Sequence, residues 1–239
     1  MPKKVIIVGA TSGIGLELAK LYITNGDMVG VTGRRIELLT KLQQEFPNQV
    51  FTESFDVRGN ENIHHLTSLV NKLGGFDLFI YNSGFGDISK QLDWDIDKKT
   101  TEINVNGFIE MVNWSFNYFV QKGEGQIAAT SSIASIRGNS MAPAYSASKA
   151  FMSTYMEGLH MKSGKMKLNL AITDIQPGFV KTKMAKGEGR FWEAPVEKAA
   201  KQIFNAIERK KRRVYITRRW ALIAWILKWM PYGIYKRIA

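Results

Sequence analysis

Apolar and polar positions along the chain follow two periodicities in turn. Short runs rich in Val and Ile, apolar almost throughout and ended by Gly, predict buried strands. Between these runs, apolar residues recur every three or four positions, which is the spacing of an amphipathic helix. The predicted strands are 3–9, 28–33, 49–55, 76–84, 125–132, 168–178 and 213–217, and the predicted helices are 14–23, 36–46, 62–73, 96–120, 143–163 and 196–208.

This order of elements predicts an α/β fold, a single doubly wound Rossmann-type domain with a mostly parallel sheet of seven strands. Strands that are apolar on both sides need cover on both faces, and right-handed crossovers supply that cover with helices. No internal repeat or linker interrupts the pattern. We therefore expect one domain over residues 1–217 and a C-terminal tail over residues 218–239.

The positive charge of the chain is concentrated near its C-terminus. The formal net charge is +12, but residues 209–239 hold ten Lys and Arg and no Asp or Glu, so the first 208 residues carry only +2. The RKKRR cluster at 209–213 lies between a predicted helix and a predicted strand, with no recognition motif around it. We therefore expect no nucleic-acid partner.

The composition excludes several other classes of site. With 45% hydrophobic and 23% charged residues, the chain is typical of soluble proteins. It has no cysteine, which excludes disulfides, thiol catalysis and Cys-based metal sites and agrees with a cytoplasmic location. His64, His65 and His160 lack the spacing of metal ligands, so we expect no metal site. The start, MPKKVIIVGA, has only a short apolar run, and we expect no signal peptide.

A glycine-rich turn, GATSGIG, separates the first strand from the first helix. Such a turn lets the backbone approach a pyrophosphate and offers it the N-terminus of the helix. Its spacing differs from the usual G-x-G-x-x-G, but its position between strand and helix favours a dinucleotide. The residues predicted to bind the cofactor here are Gly9, Thr11, Ser12, Gly13, Ile14 and Gly15.

The second strand ends in TGRR, which bears on the choice of cofactor. An acid near this point would accept a hydrogen bond from a ribose hydroxyl, whereas arginine suits a 2′-phosphate. We therefore predict NADP(H), with Arg34 favoured over Arg35 as the phosphate contact because it is nearer the strand. The alternative is that both arginines are solvated side chains at the start of a helix. Further along, Asp56 and Val57 are expected near the adenine, and Asn82, Ser83 and Gly84 near a ribose, although turns alone would also explain them.

The stretch AYSASKAF places Tyr145 and Lys149 one helical turn apart, on the same face of a helix. The small residues between them leave that face open to a large ligand, and Pro143 suits the first helical position. Taken alone, the pair could equally be a surface tyrosine and a solvated lysine. Its meaning therefore depends on the rest of the chain.

Together these motifs resemble the short-chain dehydrogenase/reductase family. The matching stretches, in the order of the family, are GATSGIG, Asp56-Val57, YNSG, INVNG (103–107), TSSIAS (130–135), YSASK and PGFVKT (177–182), between residue 3 and about residue 217. One departure is YNSG, where the family more often has Asn-Asn-Ala-Gly. Because serine is also small, this departure weakens the resemblance little.

The resemblance implies a role for each of four residues. Tyr145 would be the general acid that protonates a carbonyl oxygen as hydride reaches the carbon, and Lys149 would lower the pKa of the phenol and bind the nicotinamide ribose. Ser132, at the spacing of the family before Tyr145, would hold the substrate oxygen, with Ser131 as the alternative. Asn104 would hold a water that links Lys149 to solvent. The resemblance also implies cofactor contacts from Pro177, Gly178, Val180 and Thr182.

Two segments outside these motifs have more than one interpretation. The glycines of 183–195 predict a mobile lid, in which Phe191 and Trp192 either shield an apolar ligand or anchor the lid to the core. The tail has a run of eight apolar residues, 220–227, followed by further Trp and Tyr among basic residues. This run is too short to span a bilayer. It predicts an interfacial membrane segment, or else packing on the sheet or in a homo-oligomer, a dimer or tetramer.

These features predict an NADP(H)-dependent oxidoreductase that transfers hydride to or from a carbonyl or hydroxyl group of an apolar, lipid-like small molecule. The alternative is a dinucleotide sensor or scaffold that keeps the fold with little turnover. A complete set of Asn, Ser, Tyr and Lys argues against that alternative, because a protein that only binds the cofactor needs no proton donor.

Overall fold

The computed structural model describes residues 2–88, 91–182 and 191–237. Strands and helices follow each other as the sequence predicts, and the sheet ends in a helical tail. The strands are β1 (Lys4–Val8), β2 (Met28–Gly33), β3 (Val50–Ser54), β4 (Leu78–Tyr81), β5 (Glu124–Thr130), β6 (Asn169–Pro177) and β7 (Arg213–Ile216). The helices are α1 (Gly13–Thr24), α2 (Ile36–Glu45), α3 (Asn62–Leu73), α4 (Trp94–Thr101), α5 (Phe108–Lys122), α6 (Pro143–Lys165), α7 (Val196–Glu208), α8 (Trp220–Trp229) and α9 (Tyr232–Tyr235).

All seven strands of the sheet are parallel, in the order β3-β2-β1-β4-β5-β6-β7. The order reverses direction at β1, because the chain runs from β1 outwards to β3 and then returns to β4 on the other side. In open parallel sheets, ligands bind at this reversal, beyond the carboxyl ends of the strands. The α/β, doubly wound fold predicted from the sequence is confirmed.

The core consists of two apolar layers, one on each face of the sheet. Along β1, Ile6 and Val8 pack with residues of α3, α5 and α6, whereas Val5 and Ile7 pack with residues of α1, α2 and α7. Successive side chains of a strand point to opposite faces, so a strand buried on both faces must be apolar at every position. This is why the continuous run VIIV forms the central strand.

The helix predicted over 96–120 is two helices joined by a π-helical turn, Glu102–Gly107. A π turn takes an extra residue for each hydrogen bond and occurs mostly where function requires it. Gly107 is needed here, because a Cβ at this position would lie 2.5 Å from the carbonyl oxygen of Val57. The turn places Asn104, with no exposed surface, on the inner side of the chain.

The tail forms α8 and α9, which continue from the carboxyl end of β7. Trp220 is buried at the start of α8, and its indole covers Gly178, where a Cβ would lie 2.0 Å from the ring. The tail is therefore fixed to the same edge of the sheet at which ligands are expected.

Candidate functional site

The glycine-rich turn closes tightly over the end of β1. Gly9 has a φ of +86°, a conformation that favours glycine, and its N–H donates to the carbonyl of Thr32. A Cβ at Gly15 would lie 2.2 Å from the carbonyl oxygen of Gly9. Helix α1 begins at Gly13, and its N-cap residue Ser12 makes no side-chain capping bond. The first amides of α1 thus face the turn without a protein side chain as partner, as an anion site requires.

The loop after β4 packs against the glycine-rich turn. Asn82 ties the end of β4 to the turn, because its Nδ2 donates to the carbonyl of Gly9 at 3.1 Å. Ser83 packs directly against Gly9, and Gly84 follows in the same loop. The side chain of Ile14 turns inward and packs on the core. Thr11 and Ser12 form the remaining side of the turn, away from the β4 loop and the core.

The two arginines after β2 lie differently. The guanidinium of Arg35 donates from Nη2 to the hydroxyl of Thr11 at 2.6 Å and to that of Ser12 at 2.9 Å. Arg34 is more exposed and has Asp56 as an ionic partner, with Nη1 at 3.7 Å from Oδ2. The sequence favoured Arg34 as the phosphate contact, but it is Arg35 that the structure brings to the glycine-rich turn.

Asp56 and Val57 follow β3 at the same edge of the sheet. The carboxylate of Asp56 accepts hydrogen bonds from Arg58, and these bonds lower the pKa of Asp56. Val57 is buried, and its carbonyl accepts from Asn62 at 3.1 Å. These bonds hold both residues in place, and their contact with the adenine stays a prediction.

Tyr145 lies in the first turn of α6, which starts at Pro143. Burial of the phenol raises the pKa of Tyr145, and a hydrogen bond with the hydroxyl of Ser132 opposes that rise. The ring packs against Gly86 in the loop after β4, where a Cβ would lie 2.2 Å from Cδ2 of Tyr145. Nothing in the sequence indicated that Gly86 touches the tyrosine.

Lys149 lies one turn further along α6 and is 3% exposed. Its ammonium donates to the carbonyl of Thr130, at the end of β5, over 2.9 Å. It is 5.8 Å from the centre of the Tyr145 ring. Burial lowers the pKa of Lys149 to about 7, and the negative charge of Asp174 acts in the opposite direction. Of the pair predicted from YSASK, Lys149 is therefore enclosed, not solvated, and Tyr145 is partly buried.

The two serines after β5 differ in orientation. The hydroxyl of Ser132 meets Tyr145 and also accepts from the N–H of Ala134 at 3.1 Å. Ser131 turns to the other side and donates to the carboxylate of Asp174 and to the carbonyl of Ile175. Of the two candidates, Ser132 is the one that lies beside the phenol.

Asn104 fixes the loop that carries Gly86. Its side chain accepts from the N–H of Phe85 at 2.9 Å and donates to the carbonyl of the same residue at 2.7 Å. It also donates to the hydroxyl of Ser148, between the tyrosine and the lysine, at 2.9 Å. Asn104 thus joins the π turn, the β4 loop and α6; whether it holds a water stays a prediction.

Asp174 is a buried carboxylate that the sequence analysis missed. It lies in β6 and is 3% exposed. Besides Ser131 it accepts hydrogen bonds from Ser153 at 2.7 Å, Gln176 at 2.7 Å and Arg213 at 3.2 Å. This network connects the end of β5 with β6, β7 and α6, and the charge of Asp174 acts on Lys149. The only signal of Asp174 in the sequence is that it is the one charged residue of β6.

The loop after β6 completes the edge of the site. Pro177 ends the strand, Gly178 lies under Trp220, and Val180 is buried, paired in a short bridge with Ala194. Thr182 approaches the glycine-rich turn, because a Cβ on Gly13 would lie 3.4 Å from its methyl group. The predicted lid falls mostly on 183–190, outside the described residues.

Phe191 and Trp192, which belong to the described part of the predicted lid, pack on the tail. The ring of Phe191 stacks on Trp220 at 5.1 Å between centroids, and Trp192 contacts Phe191 at 5.5 Å. They remain 47% and 40% exposed. The anchoring role is therefore present, and their outer surfaces are still available to an apolar ligand.

Ranges 2–88, 91–182 and 191–237 hold no cluster of His, Asp and Glu able to bind a metal ion. Within the same ranges, no helix combines the length and apolar character needed to cross a bilayer.

A family profile matches this chain, and the known proteins that resemble it include two relatives in sequence and one solved structure. The profile, described as short chain dehydrogenase, matches residues 3–191. An uncharacterized oxidoreductase of Myxococcus xanthus is 32% identical over 185 residues, which cover 75% of this chain and 72% of the relative. Dehydrogenase/reductase SDR family member 7B of Mus musculus is 27% identical over 258 residues, covering 98% and 79%. A crystal structure of a short-chain dehydrogenase from Streptomyces avermitilis superposes with a TM-score of 0.82, at 21% identity over 100% of this chain and 94% of the other.

Proposed function

Because the chain belongs to the short-chain dehydrogenase/reductase family and is an oxidoreductase, we propose that it transfers hydride between NADP(H) and a carbonyl or hydroxyl group of an apolar small molecule. The observation that carries this proposal is the meeting of Ser132, Tyr145 and Lys149 at the carboxyl edge of the sheet. A hydroxyl donor, a phenol and an ammonium there match the needs of carbonyl reduction.

In this proposal Tyr145 is the general acid and base. In reduction, the phenol gives its proton to the substrate oxygen as the carbon receives hydride, and in oxidation it takes that proton back. Ser132 donates a hydrogen bond to the same oxygen and aligns it with the phenol. The ammonium of Lys149 stabilises the phenolate that remains, because an opposite charge nearby favours the ionised form. The bound nicotinamide supplies or accepts the hydride.

The residues present fit a dinucleotide. The glycines let the turn close so tightly that a Cβ on Gly9 or Gly15 would clash with Ser83 or with the carbonyl of Gly9, and Ser12 leaves the first amides of α1 uncapped, as a pyrophosphate site requires. Thr11, Ser12 and Arg35 form a group of two hydroxyls and a guanidinium beside that turn. We assign the 2′-phosphate of NADP(H) to this group, because guanidinium binds phosphate through paired hydrogen bonds. Arg34 lies close enough to add charge.

The surroundings of the site support the proposal of an apolar substrate. Phe191 and Trp192 leave apolar surface exposed next to Gly178, at the carboxyl end of β6. The alternative of a sensor without turnover receives no support from these residues. A sensor needs the glycine-rich turn, but it has no use for a partly buried phenol bonded to Ser132.

The proposal is tested by replacing Tyr145. In Tyr145→Phe the ring stays and the proton donor is lost, so kcat for carbonyl reduction should fall by about 10²- to 10⁴-fold, which is the usual contribution of a general acid. Binding of NADPH, followed by fluorescence, should be unchanged. The matched control is Tyr155→Phe, on the same helix and also partly buried, which should keep full activity. A Tyr145→Phe variant that still turns over ketones at the original rate would refute the role.

A further inference from the structure

The outer face of α8 is an apolar stripe exposed to solvent. Leu222, Trp225, Ile226 and Trp229 are 58%, 63%, 38% and 70% exposed. Their spacing of three, four and seven residues puts them on one side of a helix with 3.6 residues per turn. The buried residues of α8, Trp220 and Ala224, lie on the opposite side. One face of α8 thus packs against the domain, and a second apolar face is exposed to solvent.

Helix α9 extends this surface. Tyr232 and Ile234 are 73% and 56% exposed. We call these six residues of α8 and α9 the tail surface. Exposed apolar patches of this kind, edged by polar residues, mark interaction sites in soluble proteins.

The edge of the tail surface is cationic. Every charged residue from Arg218 onwards is basic, and all of those described are exposed: Arg218, Arg219, Lys228, Lys236 and Arg237. Tryptophan and tyrosine next to Lys and Arg are characteristic of segments that lie in the headgroup layer of a membrane. The complementary partner is therefore apolar inside and anionic at its surface.

The tail surface is joined to the loop between the catalytic serine and tyrosine. Arg137, in that loop, donates to the carbonyl of Met230 at 3.0 Å and lies over the ring of Tyr235, 4.6 Å from its centre. The hydroxyl of Tyr235 donates to the carbonyl of Gly138. A partner bound to the tail would thus lie beside the entrance to the site.

A second copy of the chain is a poorer partner for this surface. In a two-fold dimer the same patch meets itself, so the five basic residues of one tail would face the five of the other. Residues 209–239 contain no Asp or Glu to offset that repulsion. An anionic lipid surface has no such cost, and each basic residue near it adds to binding.

We propose that the tail surface docks on the headgroup layer of an anionic phospholipid bilayer, so that an apolar substrate reaches Tyr145 directly from the lipid. The substrate half of this proposal rests on the proposed function, whereas the docking half does not. The protein would bind peripherally, with α8 and α9 lying along the membrane and Arg137 coupling them to the active-site loop.

The experiment is sedimentation of the full-length protein with vesicles of phosphatidylglycerol and phosphatidylcholine, and with vesicles of phosphatidylcholine alone. We expect the protein to pellet with the anionic vesicles and much less with the neutral ones, and high salt should release it. The double variant Trp225→Ser, Trp229→Ser should bind about tenfold more weakly or worse. Trp94→Ser is the matched control, because Trp94 is 74% exposed on α4 and should not affect binding.

A second variant keeps the test decisive if the first does not fold. Replacing Lys228, Lys236 and Arg237 with Gln should weaken binding by about a hundredfold, at roughly fivefold for each charge. The control replaces three exposed lysines elsewhere, Lys41, Lys165 and Lys201. Thermal unfolding of each variant shows whether it is folded.

Two results would overturn the docking proposal. One is that the tail variants pellet as well as the original chain. The other is that the original chain never pellets and forms a dimer that the tryptophan variants dissociate, which would make a second copy the occupant. Binding is measured without turnover, so failure here leaves the reductase proposal intact, and absence of turnover leaves the docking result intact.

Discussion

Gly86 and Tyr145 show how one missing Cβ shapes the active site. The loop after β4 passes so close to the phenol ring that an alanine Cβ would lie 2.2 Å from Cδ2, far inside normal contact. The ring would have to move by about 1 Å, and displacements of that size can cost 10²-fold in rate. We expect Gly86→Ala to lower kcat/KM for carbonyl reduction by about 10²-fold while the cofactor still binds.

The control for this prediction is Gly158→Ala. Gly158 lies in the same helix as Tyr145, and a Cβ there meets nothing within 4 Å. It should leave the rate unchanged and stabilise α6 by about 1 kcal/mol, the usual difference between alanine and glycine in a helix. Equal rates for Gly86→Ala and the original chain would show that the ring is not held by this contact.

At the residue scale, the sequence could predict contacts that are local in the chain. Tyr145 and Lys149 lie one turn apart on α6, so helical geometry alone puts them on one face. Gly86 and Asp174 are different, because their partners come from other elements and depend on how the sheet is assembled. The family resemblance identified Ser132 as the candidate, with Ser131 as the alternative. The structure distinguishes the two by the orientation of their hydroxyls, which the spacing of residues in the sequence could not reveal.

At the scale of elements, the strands were well predicted because burial on both faces leaves an unbroken apolar run. The π turn at Glu102–Gly107 was missed, since one extra residue hardly alters the periodicity of a long amphipathic stretch. The relative positions of Arg34 and Arg35 were also beyond prediction. They depend on where the chain leaves β2, where Arg35 is the N-cap residue of α2.

The junction of β2, α1 and α2 carries the prediction on cofactor choice. Arg35→Gln removes the guanidinium that bonds Thr11 and Ser12, and should weaken NADPH binding by about 10- to 100-fold, the worth of charge-assisted hydrogen bonds. NADH lacks the 2′-phosphate, so its dissociation constant should change little. Titration of each variant with both cofactors measures the difference.

Arg34→Gln is the matched comparison, because the two side chains are adjacent and Arg34 has Asp56 as its ionic partner. We expect it to lose less NADPH affinity than Arg35→Gln. A larger loss of NADPH affinity in Arg34→Gln would identify Arg34, the residue that the sequence favoured, as the phosphate contact. If both variants lose NADPH and NADH affinity equally, neither arginine contacts the 2′-phosphate.

At the scale of the whole molecule, the site and the tail share the carboxyl edge of the sheet. The apolar layers on both faces are fully covered by helices, whereas the tail surface is left open at that edge. The charge is distributed in the same way, with a nearly neutral body and a basic tail. The sequence predicted the charge and the apolar run, but which side of α8 faces outwards followed only from the packing of Trp220 on Gly178.

Folding of the whole molecule should depend on pH through Lys149. In the cofactor-free chain, burial lowers the pKa of Lys149 from 10.5 to about 7, so between these values the unfolded chain holds a proton that the folded chain has lost. The free energy of unfolding therefore gains a contribution as pH rises from 7 to about 10.5, loses it as pH falls from 10.5 to 7, and is unaffected by this group below 7. The full contribution is on the order of 3 to 5 kcal/mol.

This contribution is isolated by comparison with Lys149→Met, which keeps a long unbranched side chain and removes the titrating group. Urea denaturation of both proteins should find the variant most stable relative to the original chain at pH 7 and below, with the gap closing by about 1.4 kcal/mol per pH unit above it. Lys162→Met, on an exposed part of α6, is the matched control for the loss of a lysine from this helix. If the gap for Lys149→Met is constant from pH 6 to about pH 10, the ammonium is not desolvated in the folded chain, and the enclosed lysine beside the phenol would have to be reconsidered.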